Sequence, residues 1–280
     1  MFLEIIKFIL YSGLIVLISK YILVSTLRKL AENLNLKPKT VGNVAGYATS
    51  MPELLTISIS SVNGLMSTSV FNILSSNLIN LIQYIASIVL NKNKKAFNNK
   101  AIKIDIILVL ITIFIPLILI WKDIEMSLFI VPAFLILYAL FRYLNNNAHK
   151  LYLEKEDKQI EKQIEEEESK EKGNTRKTAL YIIILIGTGL LLYVIGELLG
   201  DTLNSLCYQF NISQTIIGIL LGFITSIPEL ITFFEAQKHY KTQNNDDMLG
   251  VVEATNNLLT SNVLNLFIIQ SIGILIYTIF

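Results

Sequence analysis

The chain has 280 residues, of which 53% are hydrophobic and 16% are charged, and its formal net charge is +1. Soluble domains contain about 45–50% apolar residues even when glycine is counted, so this composition favours a membrane protein. A net charge this close to zero gives no field that attracts nucleic acid, and the single cysteine, Cys207, excludes an intrachain disulfide.

Long apolar segments follow one another along the chain, each near the roughly 20 residues that a transmembrane helix requires. The first is too long for the core of a signal peptide and has no small-residue cleavage site, so it counts as a span. The eight predicted spans are 3–26, 39–62, 66–90, 102–121, 126–144, 178–199, 213–236 and 248–279. We therefore expect a first half at 1–144, a charged loop at 145–177 and a second half at 178–280.

Basic residues indicate how these spans are oriented. Lysines and arginines collect in the loops after spans 1, 3 and 7, whereas the opposite side carries Lys7 and Lys122 alone. The positive-inside rule places the basic loops in the cytoplasm. This predicts a multi-pass protein of the cell membrane with its N-terminus outside, the 145–177 loop inside and the C-terminus outside.

The second half of the chain repeats the first. The segment GYATSMPELLT at 46–56 matches GFITSIPELIT at 222–232, and NILSSNLINL at 72–81 matches NLLTSNVLNL at 257–266. The copies lie five spans apart, an odd number, so they have opposite orientations in the membrane. Inverted repeats with a site near the midplane, at the repeat interface, are a recurrent design of transporters.

Glu53 and Glu229 occupy equivalent positions near the middle of spans 2 and 7. An ionisable residue inside a membrane is costly, so it indicates function. The alternative is a glutamate kept protonated by a hydrogen bond, and the matched pair argues against it. Each glutamate follows a proline, Pro52 or Pro228, which lacks an N–H and frees a carbonyl of the preceding turn. A cation that prefers oxygen ligands, such as calcium or sodium, suits such carbonyls.

Small polar residues accompany both glutamates. Thr49 and Ser50 lie four and three residues before Glu53, hence on the same helix face, and Thr225 and Ser226 repeat this spacing before Glu229. Two matched stripes recur every four residues along spans 3 and 8: Asn72, Ser76 and Asn80, and Asn257, Ser261 and Asn265. Off these stripes, Asn77 and Asn262 are interpreted as packing residues. Glu253, one turn before Asn257, is interpreted as a residue of the cytoplasmic vestibule.

These motifs resemble the alpha repeats of the sodium/calcium exchanger branch of the calcium:cation antiporter superfamily: TSMPE with SSNLIN, and TSIPE with TSNVLN. The resemblance implies an all-α, inverted-repeat antiporter fold of ten helices that works by alternating access. Here about eight helices are predicted, five and three, without the last two of the family. The implied ion ligands are Gly46, Thr49, Ser50, Glu53, Ser76, Asn80, Gly222, Thr225, Ser226, Glu229, Ser261 and Asn265. In the family the Gly and Thr positions contribute backbone carbonyls.

Two departures from the family pattern affect the expectations. Many exchangers of this branch carry an aspartate where this chain has Asn265, so only two central carboxylates remain here and the sodium stoichiometry stays open. The absent pair of helices leaves three interpretations: an eight-span variant, a truncated reading frame, or a flank covered by a partner. Among partners, we expect a second copy of the chain.

The expected function is exchange of calcium for sodium, with the lipid bilayer and inorganic cations as the partners of the protein. A calcium/proton antiporter is the nearest alternative, because two glutamates can carry two protons as well as two sodium ions. A non-transporting membrane scaffold or sensor is the alternative from another class. No catalytic motif lies in the predicted spans, so we expect neither an enzyme nor a cofactor, and Ca²⁺ with Na⁺ or H⁺ are expected as substrates.

Overall fold

The computed structural model describes residues 2–34, 38–144, 175–242 and 247–280, and within these ranges the chain is helical and has no strand. The helices are α1 (Phe2–Ile18), α2 (Ser25–Asn33), α3 (Pro38–Thr49), α4 (Met51–Val62), α5 (Met66–Leu90), α6 (Lys100–Trp121), α7 (Ile130–Leu144), α8 (Thr175–Asn204), α9 (Gln214–Thr225), α10 (Ile227–Thr242), α11 (Asp247–Leu264) and α12 (Gln270–Ile279).

Some helices that follow one another in the chain are joined end to end into longer rods. A π-helical segment, Ser19–Val24, joins α1 to α2, a second, Asn265–Ile269, joins α11 to α12, and a third, Ser205–Gln209, extends α8. Single residues, Ser50 and Ser226, separate α3 from α4 and α9 from α10. In each repeat, two consecutive helices therefore form one broken rod: α3 with α4 in the first, and α9 with α10 in the second.

The hydrophobic pattern of the sequence is confirmed by the helices. Six rods in the described residues are long and apolar enough to cross a membrane: Phe2–Leu27, Met66–Leu90, Lys100–Trp121, Arg176–Gln209, Gln214–Lys238 and Met248–Ile279. The shorter apolar helix α7 corresponds to predicted span 5. Predicted span 2 is the rod of α3 and α4, which is not among the six.

Three boundaries differ from the prediction. Helix α7 begins at Ile130 rather than at 126, because the chain first makes a turn that includes Asp123 at φ 51° and because Pro132 is tolerated only in the first helical turn. The sixth span runs to Gln209, ten residues beyond its predicted end. Helix α8 begins at Thr175, inside the predicted 145–177 loop. The rest of that loop lies outside the described residues.

The two repeats are interlocked. Helix α5 of the first repeat packs along α9 of the second, and α11 of the second packs along α3 of the first. The second halves of the broken rods also contact both repeats: α4 packs against α5 and α12, and α10 packs against α11 and α5. Each contact has its counterpart in the other repeat, as expected for an inverted pair.

Glycines allow the interlocked helices to approach closely. A methyl group on Gly46 would lie 2.8 Å from Thr260 Cβ, and one on Gly222 would lie 2.7 Å from the carbonyl oxygen of Asn72. Cβ atoms do not approach so near to other atoms, so only glycine lets α3 touch α11 and α9 touch α5 at these points.

Candidate cation-binding site

The breaks in the rods α3–α4 and α9–α10 determine where the two glutamates lie in their helices. Ser50 and Ser226 have nearly the same backbone conformation, φ −81° and ψ 0° at Ser50 and φ −78° and ψ −2° at Ser226. Pro52 follows the first break at the start of α4, and its lack of an N–H is tolerated in a first turn. Glu53 and Glu229 therefore lie in the first turns of α4 and α10, where the unpaired backbone N–H groups favour negative charge.

Both glutamates are fully buried, and both use their carboxylates in the same way. Ser76 Oγ donates to Glu53 Oε1 over 3.1 Å, and Ser261 Oγ donates to Glu229 Oε1 over 3.0 Å. In each case the serine lies on the next rod of the same repeat. One oxygen of each carboxylate is thus fixed, and the arrangement in one repeat reproduces that in the other.

The same serines connect the two repeats. Ser261 Oγ also accepts a hydrogen bond from Ser50 Oγ at 2.9 Å, and the hydroxyls of Ser76 and Thr225 lie 3.2 Å apart. Each serine therefore contacts the glutamate of its own repeat and the helix break of the other. The two broken rods and the helices α5 and α11 meet at one buried polar site.

Two asparagines that the ligand prediction omitted also lie at this site. Thr49 donates to Asn257 Oδ1 over 3.3 Å, and Thr225 donates to Asn72 Oδ1 over 3.4 Å. The amide nitrogen of each asparagine donates in turn to a threonine of its own repeat. Asn257 donates to Thr232 over 2.5 Å, and Asn72 donates to Thr56 over 2.7 Å. Their place on the matched stripes was the signal that could have identified them.

A second pair of asparagines links α5 directly to α11. Asn77 Nδ2 donates to the carbonyl oxygen of Asn262 over 3.1 Å, and Asn262 Nδ2 donates to the carbonyl oxygen of Asn77 over 2.9 Å. These bonds agree with the packing role inferred from the sequence. They also fix two predicted ligands, because Asn80 Nδ2 donates to Asn262 Oδ1 and Asn265 Nδ2 donates to Asn77 Oδ1.

Four oxygens at the site have no hydrogen-bond partner among the described residues. They are Glu53 Oε2, Glu229 Oε2, Asn80 Oδ1 and Asn265 Oδ1. All four are acceptors, all belong to fully buried side chains, and they form two pairs related by the repeat. A buried acceptor without a partner costs about 1–3 kcal/mol, and more when it is charged. Each of the four is available to contact a cation that prefers oxygen ligands.

The remaining predicted ligands are buried in the same region. All twelve residues of the prediction lie in α3, α4, α5, α9, α10, α11 or at their junctions, and none is exposed to solvent. The carbonyl oxygens of Gly46 and Gly222 accept long bonds, of 3.3 and 3.2 Å, from Ser50 N and Ser226 N. Each carbonyl also accepts a long side-chain bond of 3.4 Å, from Thr49 Oγ1 at Gly46 and from Ser76 Oγ at Gly222, so both carbonyls border the polar residues of the site.

Glu253 is a third buried glutamate, one turn before Asn257 in α11. It is 3% exposed and lines a cavity with Thr232, Val41 and Val44. This cavity lies among α3, α10 and α11, and the interpretation of Glu253 as a residue of the cytoplasmic vestibule stays a prediction. In the described part of the chain, no group of three or more His, Cys, Asp or Glu side chains could hold a metal ion.

Comparisons with known proteins agree with the fold and the repeats. The family model described as "Sodium/calcium exchanger protein" matches residues 5–145 and 180–280, which include both copies of the repeat. A comparison with curated proteins finds no match.

Among solved structures, the chain is similar to the sodium-calcium exchanger NCX_Mj. With NCX_Mj soaked with 10 mM Na⁺ and zero Ca²⁺, the TM-score is 0.54 at 20% identity over 99% of this chain and 84% of that one. With NCX_Mj soaked with 2.5 mM Na⁺ and 0.1 mM Ca²⁺, the TM-score is 0.52 at 21% identity over 98% and 82%. At this identity the likeness concerns the fold. Because the family model covers most of the chain, the protein belongs to the sodium/calcium exchanger family.

Proposed function

We propose that the protein exchanges calcium for sodium across the membrane through the site formed by Glu53 and Glu229. The observation that carries this proposal is the set of four buried oxygens without partners, two from carboxylates and two from amides. Calcium prefers such oxygen ligands, and a site with two carboxylates supplies a charge that balances it. Family membership supports cation exchange as the reaction class.

The charge of the site determines the proposed stoichiometry. Ionised Glu53 and Glu229 contribute −2, and Asn80 and Asn265 contribute nothing. One calcium ion or two sodium ions leave the buried site neutral, whereas a third sodium ion would leave +1 without compensation. An uncompensated buried charge costs several kcal/mol even after relaxation. We therefore propose an electroneutral exchange of two sodium ions for one calcium ion.

The inverted repeat suggests how the site is reached from both sides. The broken rods α3–α4 and α9–α10 cross at the site with opposite orientations. An ion would therefore reach the site along half of one rod from one side of the membrane, and along half of the other rod from the other side. Rocking of one repeat against the other around a fixed midplane site is the usual consequence of this design. We propose that alternating access here uses the breaks at Ser50 and Ser226 as hinges.

The test is uptake of radiolabelled calcium into proteoliposomes that contain the purified protein. Uptake should depend on an outward sodium gradient, and Glu53→Gln with Glu229→Gln should remove it. Uptake driven by a proton gradient in the absence of sodium would show that the counter-ion is the proton rather than sodium. Calcium binding without uptake under any gradient would support the non-transporting scaffold and overturn the proposal.

A further inference from the structure

The cavity lined by Glu253 has a volume of about 300 Å³, counting the part that is open to the outside. Five of its described wall residues are apolar, and the two polar ones are Thr232 of α10 and Glu253 of α11. Inside there is room for about one water-sized group, and a bare calcium ion with ligand oxygens about 2.3–2.6 Å away needs no more. We call this space the Glu253 cavity.

The cavity ends at the hydrogen-bond network of the central site. Thr232, in the cavity wall, donates to the carbonyl oxygen of Glu229 over 2.9 Å and accepts a bond of 2.5 Å from Asn257 Nδ2. Asn257 accepts in turn from the hydroxyl of Thr49 over 3.3 Å. Glu229 itself is fully buried. Thr232 therefore links the cavity to the site and closes the inner end of the cavity in this conformation.

The cavity lies toward the end of the molecule that carries the basic loops. Val41 and Val44 belong to the first two turns of α3, and Glu253 belongs to the second turn of α11. These two helices begin after the loops that follow spans 1 and 7, in which lysines and arginines collect. The positive-inside rule predicts that this end faces the cytoplasm.

Glu253 has a neutral counterpart in the other repeat. The repeat alignment places Thr68 at its position. The carbonyl oxygen of Glu253 lies against Gly42 of α3, and that of Thr68 lies in the same way against its partner Gly218 of α9. The hydroxyl of Thr68 donates to the carbonyl oxygen of Gln214 over 3.1 Å. The inverted repeats therefore place a carboxylate at one end of the molecule and a neutral hydroxyl at the other.

We infer that cations enter the central site from this end through the Glu253 cavity, and that the charge of Glu253 attracts them. The inference rests on the proposed exchange, because it gives the same ions an entry route. Glu253 is the only charged side chain among the described residues that line the cavity. A carboxylate between low-dielectric walls raises the local concentration of cations and repels anions. Movement of α3, which forms one wall, opens the inner end at Thr232 in the proposed alternating access.

The test compares how fast a cationic and an anionic thiol reagent reach the cavity. Val44→Cys in a Cys207→Ser background places a thiol on the cavity wall. In detergent, this thiol is labelled with aminoethyl methanethiosulfonate, a cation, and with sulfonatoethyl methanethiosulfonate, an anion. Relative to a free thiol, the cation should be favoured. Glu253→Gln should lower the ratio of the two rate constants roughly tenfold, because one charge acts on the two reagents in opposite senses. Ala45→Cys, at a second wall position, should give the same result.

The matched control is Glu235→Gln in the same background. Glu235 is an exposed glutamate of α10 and lies outside the cavity walls, so this change removes the same charge from the same helix bundle. The control should keep the preference for the cationic reagent. A ratio that is equal in Glu253→Gln and in the control overturns the inference.

A second measurement connects the cavity to transport. The Val44→Cys variant labelled with the cationic reagent is reconstituted, and its calcium uptake should fall at least tenfold below that of the unlabelled variant. Uptake that survives complete labelling overturns the entry route. A wild-type protein that transports no calcium overturns the proposed exchange and the entry route with it, whereas the labelling ratio remains a separate measure of the charge of the cavity.

Discussion

At the scale of the residue, the main feature of the site is that several of its buried oxygens have no hydrogen-bond partner among the described residues. Each glutamate has one oxygen bonded to a serine and one without a partner, and Asn80 and Asn265 have their nitrogens tied and their oxygens free of hydrogen bonds among the described residues. Serines and asparagines thus orient the ligands, while the carboxylates supply the charge. Positioning of this kind limits the cost of reorganising the ligands when an ion arrives.

Neutralising either carboxylate should abolish transport without damaging the fold. Glu53→Gln or Glu229→Gln removes one of the two charges that balance calcium. Losing one member of a buried charge pair costs about 3–5 kcal/mol, which corresponds to a loss of about 100-fold or more in binding. Calcium uptake should fall accordingly, and the thermal midpoint should stay the same or rise. Glu197→Gln, at an exposed glutamate of α8, is the control and should transport as wild type. Uptake within a few-fold of wild type in either site variant would refute the two-glutamate site.

Restoring a third carboxylate should change the electrical behaviour of the protein. With potassium and valinomycin setting the voltage, wild-type exchange should be insensitive to about 100 mV of either sign. Asn265→Asp makes room for a third sodium ion, so its flux should become voltage-dependent, since about 100 mV is worth about 2.3 kcal/mol per net charge moved. A several-fold voltage effect on the wild-type flux would exclude the two-for-one stoichiometry.

The residues that the sequence predicted are those that the two repeats share. All twelve candidate ligands recur in both copies, and all twelve are buried in the region where the copies meet. The orienting bonds of Asn72 and Asn257 depend on how the repeats cross, which the pattern along one helix does not contain.

At the scale of the element, close packing of α9 on α5 is what brings Thr225 and Ser76 together. Gly222 lies at this contact, and a methyl group there would be 2.7 Å from the carbonyl oxygen of Asn72 and 2.9 Å from the backbone nitrogen of Ser76. Most span boundaries could be predicted from hydropathy to within a few residues, except the end of the sixth span, which lies ten residues further on. The π-helical segment Asn265–Ile269 could not, because its backbone follows from tertiary packing rather than from composition.

Gly222→Ala should therefore separate α9 from α5. Overpacking of this kind typically costs about 1–3 kcal/mol, so the unfolding midpoint should fall and calcium transport should be lost. The matched control is Gly187→Ala in α8, where an added methyl group meets nothing within 4 Å. Alanine is favoured over glycine inside a helix by about 1 kcal/mol, so this control should be as stable as wild type or more so. Equal effects at both glycines would show that the α5–α9 contact is not tight.

At the scale of the whole molecule, two interlocked repeats make a structure whose halves are alike in backbone and unlike in side chains. On the side of the α4–α5 turn the packing is small and polar, as at Ser61 and Gly273. On the other side, Tyr84 packs edge-on against Phe233 at 5.8 Å between ring centroids, and Gln237 is fully bonded. The two ends of the interlocked repeats therefore differ in chemistry although the repeats match.

The lysine distribution predicts which of these sides faces the cytoplasm. In a Cys207→Ser background, Lys95→Cys in the basic turn before α6 should be labelled by a membrane-impermeant thiol reagent only after permeabilisation. Asp123→Cys, in the turn after α6, should be labelled in intact cells. Both positions are exposed at opposite ends of α6, so each serves as the control for the other. The reverse pattern of labelling would invert the topology.

The central claim is that one calcium ion and two sodium ions compete for the same pair of carboxylates. Calcium binding to the purified protein in detergent, measured by titration calorimetry at fixed pH and ionic strength, tests it most directly. The claim predicts one calcium ion per chain, an apparent Kd that rises with the sodium concentration with a logarithmic slope of about 2, and no binding in Glu53→Gln/Glu229→Gln. A slope near 3, an apparent Kd independent of sodium, or calcium binding that survives in the double variant would contradict it.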